Sequence, residues 1–142
     1  MHRADFYLIA KPRFRADPLL LVCELARKAC DAGSSTLILA RDVAQAQAID
    51  DALWAFDLDA FIPHQISAGD ATDDLDVPVL IAAPGVDTAI HSMVINLRDE
   101  AVTLACDRVL EVVPADESAR EPLRQRWMQY KARGFELNKH DM

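Results

Sequence analysis

The chain has 142 residues, 51% of them apolar and 27% charged, and a formal net charge of −8. That length fits a single domain spanning 1–142 with a full hydrophobic core. The acidic balance argues against a broad duplex-DNA-binding face, which needs an extended basic field, and no apolar run approaches membrane-spanning length.

The N-terminus shows no signal peptide and leads directly into a first strand at 6–10, apolar throughout and so expected to be buried on both faces. After a basic turn from Lys11 to Arg15, Asp17 and Pro18 open a helix, Asp as cap and Pro at the first helical position. Its core side reads Leu19, Val22, Cys23, Ala26, Ala29 and Cys30, and Gly33 closes it. A second apolar strand follows at 36–40. Asp42 and Gln45 begin the next helix, with Val43, Ala46, Ile49, Leu53 and Phe56 expected inward and Trp54 expected to pack on the sheet. Phe61-Ile62-Pro63-His64 is a short extended piece, and residues 65–78 form an acidic loop. Strands are predicted again at 79–83, 93–97 and 109–113, with 99–105 open between helical turn and loop. Alternating apolar strands and amphipathic helices specify an α/β domain of three layers with a mostly parallel sheet.

Familiar chemistry is missing from this frame. The first two strand–helix turns, Lys11 to Arg15 and Arg41 to Val43, contain no glycine. No GxGxxG or GxxxxGK[ST] pattern occurs, so the topology is Rossmann-like without a nucleotide-binding loop. Asp70, Asp73, Asp74 and Asp76 lack the spacing of a calcium loop, and no metal or other cofactor is implied. Cys23, Cys30 and Cys106 have no CxxC spacing and read as free thiols. His64 and His91 belong to no recognisable catalytic set.

What remains is the last quarter of the chain. The final helix carries Arg120, Arg124, Arg126, Lys131 and Arg133 against one acid, Glu121. Arg120, Arg124 and Lys131 fall within about 40° of one another at 100° per residue, beside an apolar stripe of Ala119, Leu123, Trp127 and Tyr130. Guanidinium groups next to an indole suit a ligand with carboxylates and an apolar or aromatic side chain. The competing reading is a solvated helix whose arginines answer nearby acids. Ser118 and Glu121 have capping-box spacing, Pro122 lies near the first turn, and Gly134 followed by Phe135 reads as a left-handed cap with an aromatic folding back towards Tyr130.

Phe6-Tyr7-Leu8, Cys23 to Lys28, Ala52-Leu53-Trp54, Phe61-Ile62-Pro63-His64, Pro78 to Ile81, Ile95-Asn96-Leu97 and the block from Arg124 to Leu137 occur in that order. Together they resemble the chi subunit family of bacterial DNA polymerase III holoenzyme, across nearly the whole chain. The resemblance implies a cytoplasmic, non-enzymatic adaptor of DNA replication without nucleotide. It would bridge the clamp loader, through a psi-like subunit, to the acidic C-terminal tail of single-stranded-DNA-binding protein. Carried over by position, the tail pocket comprises Arg120, Arg124, Trp127 and Lys131, with Val113 and Tyr130 at its floor, and Phe61 belongs to the partner-subunit side. Two alternatives stay open: an interaction module of the same fold recruited to a DNA-repair helicase through Phe61, and a small enzyme at the carboxyl edge of the sheet.

Overall fold

The computed structural model describes residues 2–56, 62–67, 77–86, 92–103 and 106–142. Among these, the chain runs β1 (Arg3–Leu8), α1 (Pro12–Ala16), α2 (Pro18–Asp31), β2 (Thr36–Leu39), α3 (Val43–Phe56), β3 (His64–Ile66), β4 (Val79–Ala82), β5 (Met93–Asn96) and β6 (Arg108–Val113). A single 3₁₀ turn at Glu117–Ala119 then leads into α4 (Arg120–Ala132), and β7 (Glu136–Asp141) closes the chain. The strands form one seven-stranded sheet in the order β3-β4-β2-β5-β6-β1-β7. Every pairing is parallel. β1 and β2 are not neighbours, so the α/β expectation holds in its strongest form.

Burial follows the period of two. Ile38, Ile81, Ile95, Leu110 and Val112 face α2 and α3. Ala4, Phe6, Leu37, Leu80, Val94, Val109 and Val113 face the opposite layer, with Tyr130 of α4. Central parallel strands are covered on both faces, which is why β2, β4 and β5 are buried at every position and read as nearly continuous apolar runs.

Several local expectations change. The basic turn after β1 contains the five-residue helix α1, with Phe14 buried beneath it and Arg13 paired to Glu24. Pro18 opens α2 as expected, but the Asp17 side chain makes no capping bond. At α3, Asp42 accepts from the Gln45 amide while Gln45 Oε1 accepts from the Arg41 amide, a reciprocal start that satisfies two free donors. Val43 is 74% exposed and Trp54 55% exposed, so neither belongs to the core. Trp54 instead meets the His64 ring edge to face at 4.9 Å. Cys23, Cys30 and Cys106 are free thiols. The Ser118–Glu121 capping box does not form. Asp116 accepts from the Ser118 amide at the start of the 3₁₀ turn, and Glu121 accepts from Gln125. β3 and β7 are strands that the sequence pattern did not mark. The acidic stretch 68–76 and Phe61 lie outside the described residues.

At the β7 edge, Asp5 is completely buried beneath polar partners. Arg108 Nε donates to it at 2.7 Å, Arg3 at 3.1 Å and His140 Nε2 stands at 3.0 Å. Burial alone would raise this carboxyl. The bonds from His140, Arg108 and Arg3 outweigh it and hold the pKa below the usual aspartate value. A folded-state pKa below the unfolded one gives stability that is complete above the unfolded value, about 4, and is lost as pH falls through the lowered value. Wild type should therefore exceed Asp5→Asn in stability most at neutral pH, and the gap should close below about pH 4. Urea unfolding of both proteins at pH 7, 4 and 2.5 checks this; a gap independent of pH would contradict it.

Candidate peptide-binding site

The site is built on the layer that holds α4. Glu111 sits mid-way along β6 and is completely buried. It accepts from Asn96 Nδ2 at 2.9 Å and from the Tyr130 hydroxyl at 2.6 Å. Arg126 Nε stands 3.0 Å from it in an ion pair, and Arg126 Nη1 donates to the Asp99 carbonyl. Burial pushes the Glu111 carboxyl up, while the Arg126 charge and the bonds from Asn96 and Tyr130 pull it down; burial is the larger effect. Burial and the adjacent carboxylate raise the Tyr130 phenol, which keeps it a proton donor. The same hydroxyl accepts from the Val102 amide at 2.8 Å, tying the 101–103 segment to the helix.

At the end of α4, Gly134 takes φ 82°, and the Phe135 amide bonds back to the Tyr130 carbonyl. Phe135 lies 5.2 Å from the Tyr130 ring. Arg133 donates to the Val102 carbonyl at 2.7 Å and covers the Phe135 ring at 4.8 Å. The five cations of this segment thus divide. Arg126 is buried against Glu111, and Arg133, although exposed, is tied to the Val102 carbonyl. Among the described residues, the Arg120, Arg124 and Lys131 side chains have no bonded or ion-pair partner and are exposed.

Beside this row lies a slot of about 370 Å³ lined by Phe6, Leu8, Leu123, Arg124, Trp127, Met128 and Lys139. Its walls come from β1, α4 and β7, and they are nearly all carbon apart from the two cations. The Phe6 and Trp127 rings meet at 5.1 Å, tilted by 52°, and form its base. The structure brings Arg124 and Trp127 together here. Arg120 lies one turn before Arg124 and Lys131 two turns beyond it, on the same exposed side. Val113 and Tyr130 are core residues behind the slot rather than part of its lining. Phe61 lies outside the described residues; the exposed Trp54 and the 36%-exposed Ile66 are described near it in sequence.

Sequence reasoning placed Leu123 in the stripe beside the cations but did not mark Phe6, Leu8 and Lys139 as slot residues, nor Glu111 as the anchor. A lone acid inside an apolar strand was the available signal for Glu111, since a carboxylate buried there demands partners. Nothing comparable singled out Lys139, because β7 itself was not recognised.

A cavity of about 530 Å³ lies at the carboxyl ends of the central strands, lined by Arg41, Asn96, Arg98, Asp99 and Glu100 among others. Its lining carries two arginines and two acids. Arg98 is held by the Ala40 and Ala82 carbonyls, and Asn96 is committed to Glu111 and the Glu100 carbonyl. It presents no arrangement for catalysis. No group of three or more His, Cys, Asp or Glu suited to a metal occurs among the described residues.

The division of cations is testable by stability alone. Arg126→Met should cost about 3–5 kcal/mol by leaving Glu111 buried and unpaired. Arg124→Met, at an exposed site, should change stability by less than about 0.5 kcal/mol. Chemical denaturation of the two variants gives the comparison, and equal effects would refute it.

Comparison with known proteins places the chain among close relatives. The family profile described as "DNA polymerase III chi subunit, HolC" matches residues 1–138. "DNA polymerase III subunit chi" of Pseudomonas aeruginosa is 32% identical over 99% of this chain and 96% of its own length. The Escherichia coli protein of that name is 34% identical over 97% of each. Among solved structures, the C-terminal domain of the DEAD-box protein Dbp5 superposes with a TM-score of 0.65, at 13% identity, over 99% of this chain and 90% of that one. That likeness is one of fold.

Proposed function

The chain belongs to the DNA polymerase III chi subunit family, and from that premise we propose that it is an adaptor holding two partners on separate surfaces. A chi subunit is a non-catalytic accessory subunit of the DNA polymerase III holoenzyme, so the chain serves DNA replication by binding rather than by turnover. On this reading, residues 1–138 matched by the family act as one unit in the cytoplasm. One surface takes the acidic C-terminal tail of single-stranded-DNA-binding protein. The other docks a psi-like subunit of the clamp loader.

The observation that carries the first half is the apolar slot flanked by unpaired cations on α4. A tail that ends in carboxylates followed by apolar and aromatic residues matches both halves of that surface: the terminal ring enters between Phe6, Trp127 and Leu123, and the acids lie along Arg120, Arg124 and Lys131. Val113 and Tyr130 act from behind, by holding the base of the slot. The second surface is assigned to Phe61 with Trp54, whose exposed indole is a suitable anchor for an apolar partner.

A fluorescently labelled tail peptide tests the first surface. Arg124→Ala removes a charge-assisted contact worth roughly 1.5–3 kcal/mol and should weaken binding about ten- to a hundredfold. Added salt should weaken the wild type more than the variant. Binding by the wild type that ignores salt would refute the electrostatic account.

The second surface is tested by independence. Phe61→Ala should abolish capture of the psi-like subunit and leave tail affinity unchanged, because sites that share no residues are near-additive. A folded Phe61→Ala protein that loses both partners would mean a single shared site.

A further inference from the structure

Resting on the tail-binding reading above, we propose that Lys139 is a specificity residue that, together with Arg124, grips the free terminal carboxylate of the peptide. The slot would thereby select a chain end over an internal acidic segment.

The placement of Lys139 follows from register. β7 pairs in parallel with β1, and Lys139 stands opposite Phe6. Side chains at paired positions project to the same face of a sheet. Phe6 faces α4, since its ring meets Trp127 at 5.1 Å and Tyr130 at 6.0 Å. Lys139 therefore rises on the α4 side of the sheet and lines the slot together with Arg124, the one from β7 and the other from α4. Among the described residues its ammonium has no hydrogen-bond or ion-pair partner, and the residue is exposed.

The two walls are electrically different. On the helix wall Arg124 belongs to a row with Arg120 and Lys131, suited to successive acids of an extended chain. On the strand wall, Lys139 is the one basic residue of β7 other than His140, whose ring bonds Asp5 on the opposite face. Asp141, opposite Leu8 on the same face as Lys139, repels an anion from that end. A peptide that lays its acids along the helix and drops its last side chain onto Phe6 and Trp127 brings its terminal carboxylate between Arg124 and Lys139. An internal segment has no anion at that point and must leave Lys139 unanswered.

The experiment compares a tail peptide as free acid with the same peptide amidated at its C-terminus, by fluorescence anisotropy against the full chain. Wild type should favour the free acid by about tenfold. Lys139→Met, which keeps the apolar stem, and Lys139→Gln should cut that ratio severalfold, leaving only the part that Arg124 supplies, and Lys139→Arg should restore it. Circular dichroism confirms that each variant is folded. A Lys139→Met protein with the wild-type ratio would overturn the assignment while leaving the tail site intact. A wild type that binds neither peptide would overturn the tail-binding reading and this inference with it.

Discussion

A carboxylate at the centre of a parallel strand must be answered, because burying an isolated charge costs far more than a fold of this size can spare. Glu111 is that group, and its partners decide how the last layer is assembled. Two of them, Arg126 and Tyr130, are four residues apart on α4 and therefore share a face. Satisfying Glu111 consequently sets the rotation of α4 about its own axis. Arg124 is two residues from Arg126, about 200° round the helix, so turning Arg126 down necessarily turns Arg124 out. Replacing the pair by apolar residues of similar volume need not cost stability, but it would remove the polar reference that fixes this rotation.

The same rotation produces the slot. With Tyr130 buried, Leu123 and Trp127 come to rest over β1, where Phe6 supplies the aromatic base. Gly134 then reverses the chain in a conformation that a β-carbon would strain, and β7 is delivered alongside β1 in a register that sets Lys139 opposite Phe6. Three elements distant in sequence thus supply one apolar surface with cations on its margins. Each is positioned by backbone pairing or by the Glu111 network rather than by a mobile loop.

The sequence made the strands of the sheet interior legible because both their faces are covered: Val79 to Ala82 is apolar throughout, and Thr36 to Leu39 and Met93 to Asn96 are apolar but for Thr36 and Asn96 at their ends. β7 was not legible for the opposite reason. An edge strand exposed along one side carries Glu136, Lys139 and Asp141, a polar composition that discourages pairing with other chains and hides its strand character. Trp54 misled because average burial of its residue type says nothing about a helix end where the sheet has run out. On α4, helical periodicity separated Arg120, Arg124 and Lys131 from the rest. It could not show that Arg126 and Arg133 have internal acceptors, since Glu111 and the Val102 carbonyl come from other elements. The block at Arg124 to Leu137 contains the Arg124 and Trp127 that line the slot, whereas Val113 and Tyr130 lie in the core behind it.

The proposed binding of an acidic tail by an acidic protein poses an electrostatic contradiction that distance resolves. At physiological ionic strength charges are screened over about 8 Å, so the net charge of −8 is felt weakly at the slot. At the slot itself the sign is set by Arg124 and Lys139 in its lining, with Arg120 and Lys131 further along α4 and Glu121 and Asp141 opposing them. The attraction is therefore short-ranged, and it cannot gather anions from afar as an extended basic face would. Burying one large apolar side chain contributes about 1.5–3 kcal/mol, comparable to one charge-assisted bond. Neither contribution alone holds a flexible peptide against the entropy lost on ordering it. Acid without an apolar end leaves the slot empty, and an apolar end without acid leaves the cations unanswered. Selectivity at such a surface comes from requiring both within one short segment, and because the surrounding acidic charge is screened at the slot it does not cancel that requirement.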